Sequence, residues 1–572
     1  MGWEMKKINL QTTFIFGLIS VLSYIPIMRT HRVFGQGDLL FHLNRMLGLA
    51  EGLRHGQLNY RSFDVLSNIG SATNYFYPFV FTLVFAGLFV VLANHLVLAF
   101  YVGELILLFC TLMVAYWSMK SFAGNHKRAF IFAILWGFSG YRFYLALDQF
   151  VLGEAIAFVF LPLVFLGFYE VFFRNHKRWY LLGFGMTLLL YAHMLSVVLT
   201  TAIFVVIALS AMLTKRISGY KERIGALIRA ISLFIILGAV VWVPLLYQFS
   251  MTKIQTTTKQ SVLFMASLGD NLVNALNGSY QNIGIFGVVA VVWALVLLFQ
   301  KRYELNVLFG LIGVIIFILG TNIFPWYAIP FRLQALIQFP YRLFSYATLF
   351  LFVFLSKELA DRYKQLQHYR LAMVTLMVFS VINFWGHSEL LVANRQNNPV
   401  LNLKQDRAAD SNHQESTFVA DTAGLKTILG SRHDYIGMMD YAPINSWQPL
   451  NTASLLKQEV LFNHQAVDAK ISYQSNQSMY QVTVNQAGWL DLPVLAYGNE
   501  TVLLDGHQTT IKQSQRGSVA VYLESGQHII QVSAPAPRWI YGLWIFVFIA
   551  WIIVLLRLWS RDKTTMVPTS AR

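Results

Sequence analysis

The stretch "YFYPFVFTLVFAGLFVVLANH", Tyr75–His95, decides the topology of this chain. It is apolar over about the 20 residues that a helix needs to cross a bilayer. If it spans, the parity of the chain breaks and the basic cluster "KSFAGNHKR", Lys120–Arg128, lands outside. If it dips into the outer leaflet and returns, every basic cluster falls inside. Lys and Arg concentrate in short cytoplasmic loops, so the sequence favours the re-entrant or interfacial reading.

Working outward, the same charge pattern repeats. "RNHKR", "KRISGYKER", "QKRYE", "KELADRYKQLQHYR" and "RLWSRDK" all sit between apolar runs. The 572 residues are 56% hydrophobic and only 12% charged, with 46 Phe. Soluble domains are about a quarter charged. This is therefore a polytopic membrane protein, and a net charge of +16 reflects cytoplasmic loops rather than a nucleic-acid surface. The one cysteine, Cys110, lies in an apolar run and reads as a small core residue, not part of a disulfide framework. "MKKINL" and the run after it read as an uncleaved first span with its amino end inside.

The apolar runs predict spans at about 10–28, 96–119, 129–146, 152–173, 179–193, 195–213, 224–246, 283–299, 303–320, 341–356, 371–387 and 538–557. That is about 12 transmembrane helices, both termini cytoplasmic, in a multi-pass protein. Residues 1–387 form the transmembrane core, with a large first outer loop at 29–95. Residues 388–537 form an extracytoplasmic domain, and 538–572 the last helix and tail. The first part of that domain, "NRQNNPVLNLKQDRAADSNHQE", is polar and loop-like. From about 470 it alternates with period two ("MYQVTVNQ", "SVAVYLES", "HIIQVSAP"), which predicts a small β-sandwich. "APAPRW" marks the return to the membrane, with Trp539 and Trp544 as interface anchors.

Against this apolar background the polar residues need reasons. In "GQGDLLFHLNRM", Asp38, His42 and Arg45 share one face of a helix beginning at Asp38. The remaining faces are leucine-rich, so the helix is amphipathic and lies at the outer surface. Asp38 reads either as a helix cap or as a functional acid, and Arg45 either as a headgroup contact or as part of a site. In "GYRFYLALDQFVLGEAIAF", Arg142, Asp148 and Glu154 sit between two spans. An acid at the start of an apolar span is a functional-site hypothesis, the alternative being a pin between Glu154 and Arg142. His193 falls near the outer end of its helix, as a hydrogen-bonded interface residue or as a ligand. Arg332 and Arg342, in "AIPFRLQALIQFPYRLFSY", and Lys253 and Lys259 in another outer loop suit phosphate oxygens or lipid headgroups.

The order of motifs resembles a bacterial family of large membrane proteins. "GDLLFHLNRMLGLAEGLRHGQL" followed by "SNIGSATNYFYPFVFTLVF" is similar to the first outer loop of proteins labelled "6-pyruvoyl-tetrahydropterin synthase-related membrane protein". That label does not imply pterin chemistry here. "SGYRFYLAL", "LGEAIAFVFLPL", "QFPYRLF" and "AGWLDLPVLAYGNETVLLDGH" look like the related YfhO-like family. The resemblance implies a GT-C architecture, in which a sugar leaves a polyprenyl-phosphate lipid on the outer side of the bacterial plasma membrane. It also implies an acid in the first outer loop as base or metal ligand, and Asp38 is the matching position. Asp148 or Glu154 would supply the second acid. Two adjacent acids are common in that loop of GT-C enzymes; this chain has one, in "GD".

The expectation is an extracytoplasmic glycosyltransferase acting on a cell-envelope acceptor, whether teichoic acid, wall glycan or protein. Asp38, His42 and Glu154 would be catalytic, with Asp38 as base. Arg45, Arg142, Asp148, His193, Arg332 and Arg342 would bind substrate. The expected partners are a polyprenyl-phosphate-linked sugar, the acceptor polymer and membrane lipid. A divalent cation is the candidate cofactor. A non-catalytic lipid-linked-sugar transporter or assembly protein is the alternative, but the internal repeat and midplane polar groups that favour transport are not evident.

Overall fold

In the computed structural model of the chain, the residues described are 10–255, 265, 267–278, 280–330, 334, 337–363, 368–397, 417–430 and 437–564. Among them, seven helices are long and apolar enough to cross a membrane: Leu10–Met28, Leu96–Ala123, Leu152–Phe173, Met194–Leu213, Pro340–Arg362, Tyr369–Gln396 and Arg538–Leu558. Two bent pairs raise the number to nine. His126–Gly137 and Gly140–Asp148 meet at 44°, and Tyr220–Leu237 and Ala239–Met251 meet at 67° across Gly238. The other three predicted spans are shorter helices, Tyr180–Ala192, Gly284–Phe299 and Leu305–Leu319. Helix length alone therefore gives seven to nine spans where the apolar runs predict twelve.

The run at 75–95 folds as a short helix, Thr73–Phe76, and a ten-residue helix, Thr82–Val91. Ten residues rise about 15 Å, half the hydrocarbon thickness. Pro78 and the turn around it separate the two pieces. The ten-residue helix packs on the loop helix Leu39–Arg54 and on Leu96–Ala123. The loop helix itself is buried on nearly every face, Leu39 to Met46 included, so it is an interior element and not the surface-lying amphipath that its stripe predicts. The basic clusters interlock at one end of the bundle. Arg174 donates to the Phe122 carbonyl (3.2 Å), Arg178 to Ser121 (2.8 Å), Arg128 to the Val353 carbonyl (2.9 Å) and Arg223 to the Val171 carbonyl (2.6 Å).

The opposite end carries the strands. β1 (Val33–Gly35), from the first loop, pairs antiparallel with β2 (Phe418–Ala420), which follows the penultimate helix. That helix runs to Asn397, well past the end of its apolar run. The remaining strands begin at 460, ten residues earlier than the alternation predicts. They are β3 (Val460–Phe462), β4 (Gln465–Val467), β5 (Ala469–Gln474), β6 (Gln477–Val484), β7 (Gly488–Leu495), β8 (Thr501–Leu504), β9 (His507–Gln508), β10 (Ile511–Gln513), β11 (Ser518–Leu523) and β12 (Gly526–Ser533). They form two five-stranded sheets, β10-β11-β7-β3-β4 and β5-β6-β12-β8-β9. Alternate residues of both face one core: Tyr480, Val482 and Val484 from β6, Leu490, Leu492 and Val494 from β7, Val519 and Val521 from β11, Ile530 and Val532 from β12. Period-two burial of this kind makes a β-sandwich.

The first loop reaches into that sandwich. Phe63 is fully buried in the sandwich core. Arg61 beside it pairs with Glu500, and both side chains are buried. Arg61 also donates to Asn499 (3.0 Å) and to the carbonyls of Gly70 (2.8 Å) and Leu495 (2.9 Å). Glu500 accepts in addition from the Tyr497 and Gly498 amides, at 2.6 and 2.9 Å. Gly70 has φ +65° and a Cβ there would lie 2.9 Å from Val494, so the turn requires glycine. Removing one member of such a pair strands the other charge and costs about 3–5 kcal/mol. Arg61→Met should therefore lower the apparent melting temperature of the detergent-solubilised protein and open the 460–533 sandwich to protease. Adding Glu500→Gln should recover part of the loss. A single variant that melts like wild type would show that the pair does not hold the sandwich.

Candidate active site

Three turns meet at the strand-bearing end of the bundle. The first is Gly35–Leu39. Gly37 has φ +58°, and a Cβ on it would come within 2.6 Å of the Gln149 carbonyl oxygen. That close approach lets the Asp38 amide donate to the same carbonyl at 2.9 Å. The Asp38 side chain makes no capping hydrogen bond to the helix that follows. The helix-cap reading of Asp38 is thus not realised. The second turn, Tyr144–Asp148, is π-helical, a form that recurs at functional sites. The third runs from Pro340 to Leu343 and carries Arg342.

Glu154 is buried at the start of its helix. It accepts from Tyr141 at 3.0 Å and from Ser345 at 3.3 Å, and its other oxygen lies 3.7 Å from Arg342 Nε. Arg342 is further held by Gln338 (2.6 Å) and lies over the Phe339 ring. The charges acting on Asp38 are those of Asp440, Arg342 and Glu154. The closest of these contacts is that between Glu154 and Arg342, and both act on Asp38 through their charge. Asp38 and Asp440 are half-buried. Loss of hydration raises Asp38 to about 7, with Asp440 adding to the rise and Arg342 opposing it. Loss of hydration also raises Asp440, to about 6.

The other expected site residues fall at varying distances from this centre. His42 is fully buried, its Nδ1 3.4 Å from Arg45, with Tyr77 and Phe150 edge-on to its ring. Burial, Arg45 and His193 hold it well below the usual histidine range; it is not among the groups that set Asp38. Arg45 donates to Asn74 (3.1 Å) and to the carbonyls of Tyr77 (3.0 Å) and Pro78 (3.2 Å), with its guanidinium over the Tyr77 ring. It ties the loop helix to the run at 75–95. His193 bonds Ser196 at 2.9 Å and lies against Tyr77. Asp148 pairs with Arg395 at 2.8 Å and braces the penultimate helix. The pin between Glu154 and Arg142 does not form: Glu154 faces Arg342, while Arg142 lies with Tyr24 and Glu104, themselves 3.1 Å apart. Arg332 and Lys259 lie outside the described residues.

Asp440 had no signal in the sequence. It stands in "GMMDYAP", inside a segment without periodicity. For a resident cation the donor set does not fit: among the described residues no three His, Cys, Asp or Glu are grouped to hold a metal. No chemistry is routed through a metal here.

No family model matches the chain, and no curated protein matches it. Among solved structures, it is similar to the cryo-EM structure of arabinofuranosyltransferase AftD from mycobacteria. The match is 16% identical with a TM-score of 0.39, and covers 66% of this chain and 27% of that one. The chain thus spans about a quarter of that protein's length. At that TM-score the likeness decides neither fold nor chemistry, and the residues above must carry both.

The raised acids have a consequence for stability. An aspartate moved from 3.8 to about 7 keeps its proton in the folded protein where the unfolded chain has lost it. Folding is then most favoured at low pH, and stability falls as pH rises from about 4 to about 7 before levelling. Asp440 acts in the same sense up to about 6. The apparent melting temperature should drop across this window, by the equivalent of a few kcal/mol. Asp38→Asn should flatten the part of the slope nearest pH 7. An unchanged slope in that variant would mean that Asp38 titrates normally.

Proposed function

We propose that this chain is a membrane-embedded glycosyltransferase that moves a sugar from a polyprenyl-phosphate donor to a cell-envelope acceptor such as teichoic acid, wall glycan or protein. The observation that carries this reading is the buried Glu154 set 3.7 Å from Arg342, with both among the charges that act on Asp38, at the end of the bundle opposite the basic clusters. The positive-inside pattern would put that end outside the cytoplasm. The resemblance of the first loop to GT-C proteins supplies the reaction class.

In this reading the acceptor hydroxyl attacks the anomeric carbon and passes its proton to Asp38. The bond from that carbon to the phosphate oxygen breaks, and the polyprenyl phosphate leaves with the electron pair. A base near pH 7 suits the task better than an ordinary aspartate, because proton transfer is most effective when the base's pKa lies near the working pH. Arg342 faces the growing negative charge on the leaving phosphate, and Glu154, Gln338 and Phe339 hold it in place beforehand. The sandwich would orient the acceptor.

The test is release of free polyprenyl phosphate from a panel of lipid-linked sugars by the purified protein. Asp38→Asn should lower the rate by about 10²–10⁴-fold, the range for loss of a general base, with membrane abundance unchanged. Arg342→Met should lower kcat more than it raises KM. Full transfer by Asp38→Asn would sink the assignment, and lipid movement without cleavage would favour a transporter.

A further inference from the structure

We propose that the outer face of the sheet β5-β6-β12-β8-β9 carries a binding site for a neutral glycan chain, built from Asp468, Lys470, Gln481, Thr483 and Gln527. That this glycan is the acceptor rests on the glycosyltransferase reading; the binding site itself does not.

The site is an open depression of about 630 Å³. That lies within the range of about 300–1,000 Å³ found for small-ligand sites. Its floor is the sheet. The register of β5, β6 and β12 sets Lys470 beside Gln481 and Thr483 beside Gln527. The alternation that turns Tyr480, Val482 and Ile530 into the core turns Gln481, Thr483 and Gln527 out to this face. One wall is formed by residues 466–468, the end of β4 and its link to β5.

Five polar side chains thus face one space, and among the described residues none of them makes a hydrogen bond or ion pair. The other end of the same face behaves differently. Gln531 of β12 stands opposite Met479, one pleat from Gln477 of β6, and donates to it at 2.6 Å. Gln477 in turn donates to Gln474. Gln527 of β12 stands opposite Thr483, one pleat from Gln481 of β6. The diagonal offset is the same and within reach of long side chains. Yet this second pair of amides stays open, with both groups left to a ligand.

The lining states what that ligand is. An amide offers a donor and an acceptor from one planar group, a hydroxyl offers both, Asp468 accepts only and Lys470 donates only. Sugars present adjacent hydroxyls, each of them donor and acceptor, which satisfy all five. One cation and one anion face the depression, so a polyanion loses at Asp468 what it gains at Lys470. The balance favours an uncharged glycan over a polyphosphate. The depression also lies away from the bundle. The turn at 475–476 rests on the first loop, where Asn476 donates to Gln57 at 2.9 Å and Phe63 to the Ser475 carbonyl at 3.3 Å. From that turn β6 rises about 3.3 Å per residue, which sets Gln481 and Thr483 roughly 15–25 Å from the loop. The site therefore holds the body of a chain, several units from any hydroxyl that reacts beside Asp38.

The test is retention of the purified full-length protein on an immobilised panel of neutral and anionic bacterial polysaccharides. Wild type should bind neutral members. Gln481→Ala with Gln527→Ala should weaken that binding about tenfold, the effect of losing two hydrogen bonds. Both side chains point outward, and Gln527→Ala alone gives the comparison if the double variant melts lower. Trp489 and Tyr522, an exposed edge-to-face pair on the opposite sheet with centroids 5.5 Å apart, form the competing sugar platform. Tyr522→Ala should leave retention unchanged. Retention of wild type by anionic members only, by no member, or equally by the glutamine variant would overturn the inference, as would a loss that follows Trp489→Ala and not the glutamines. In sugar transfer, the glutamine variant should raise KM for long acceptors several-fold and leave kcat and short acceptors as in wild type. If wild type binds the neutral glycan but transfers no sugar, the glycosyltransferase reading fails and the site stands. If transfer proceeds and the glutamine variant binds as wild type, the site fails by itself.

Discussion

The buried guanidinium of Arg61 joins the first loop to the sandwich. It pairs with Glu500 and donates to the carbonyls of Gly70 and Leu495. Two of these partners belong to the sandwich and one to its own loop. A buried ion pair adds little net stability by itself, because both ions lose hydration. Its geometry is demanding, however, and mispairing would leave charge without a partner. That cost fixes one docking position for the sandwich. Phe63, in the same loop, then fills the sandwich core and contributes the apolar stabilisation that the ion pair does not.

The site inherits this docking. Asp38 is reached from the first loop, Glu154 and Arg342 from the helix bundle, and Asp440 from the segment between the penultimate helix and the sandwich. These elements meet only if the loop and the later segment share one frame. Two further contacts enforce it: β1 pairs with β2, and Gln248 bonds the Tyr497 carbonyl at 2.9 Å while accepting from Asn499 at 3.1 Å. Trp544 of the last helix also reaches the first loop, donating to Tyr60 at 3.0 Å.

What could be read from sequence follows what is periodic. Period two revealed the sandwich strands from 470 onward, because a half-buried sheet imposes alternation on every residue. It missed β3 and β4, which are three residues each and too short to show a period. Apolar length located the long helices, while three of the twelve predicted spans, Tyr180–Ala192, Gly284–Phe299 and Leu305–Leu319, are helices shorter than a single crossing needs. Asp38, Glu154 and Arg342 stood out because charge in an apolar context is costly and needs a reason. Arg45 and Arg142 stood out for the same reason: Arg45 proved to be bound to the Tyr77 and Pro78 carbonyls, whereas Arg142 is buried near Glu104 and Tyr24 with both terminal nitrogens left without a hydrogen bond among the described residues. Charge in an apolar setting signals that a partner exists, without saying whether the partner is protein or substrate.

Asp440 is the opposite case. An aspartate in a polar, aperiodic segment costs nothing locally, so no rule of composition flags it. Its importance comes from where Gly437 and Tyr441 set the turn, against Phe41 and Phe76, some 360 or more residues earlier in the chain. That placement also bears on the single acid in "GD". A first loop with two adjacent acids would carry its carboxylate pair on one rigid turn. Here the turn that brings Asp440 against the first-loop helix comes from a distant segment, so that wall of the site exists only when the segment is seated.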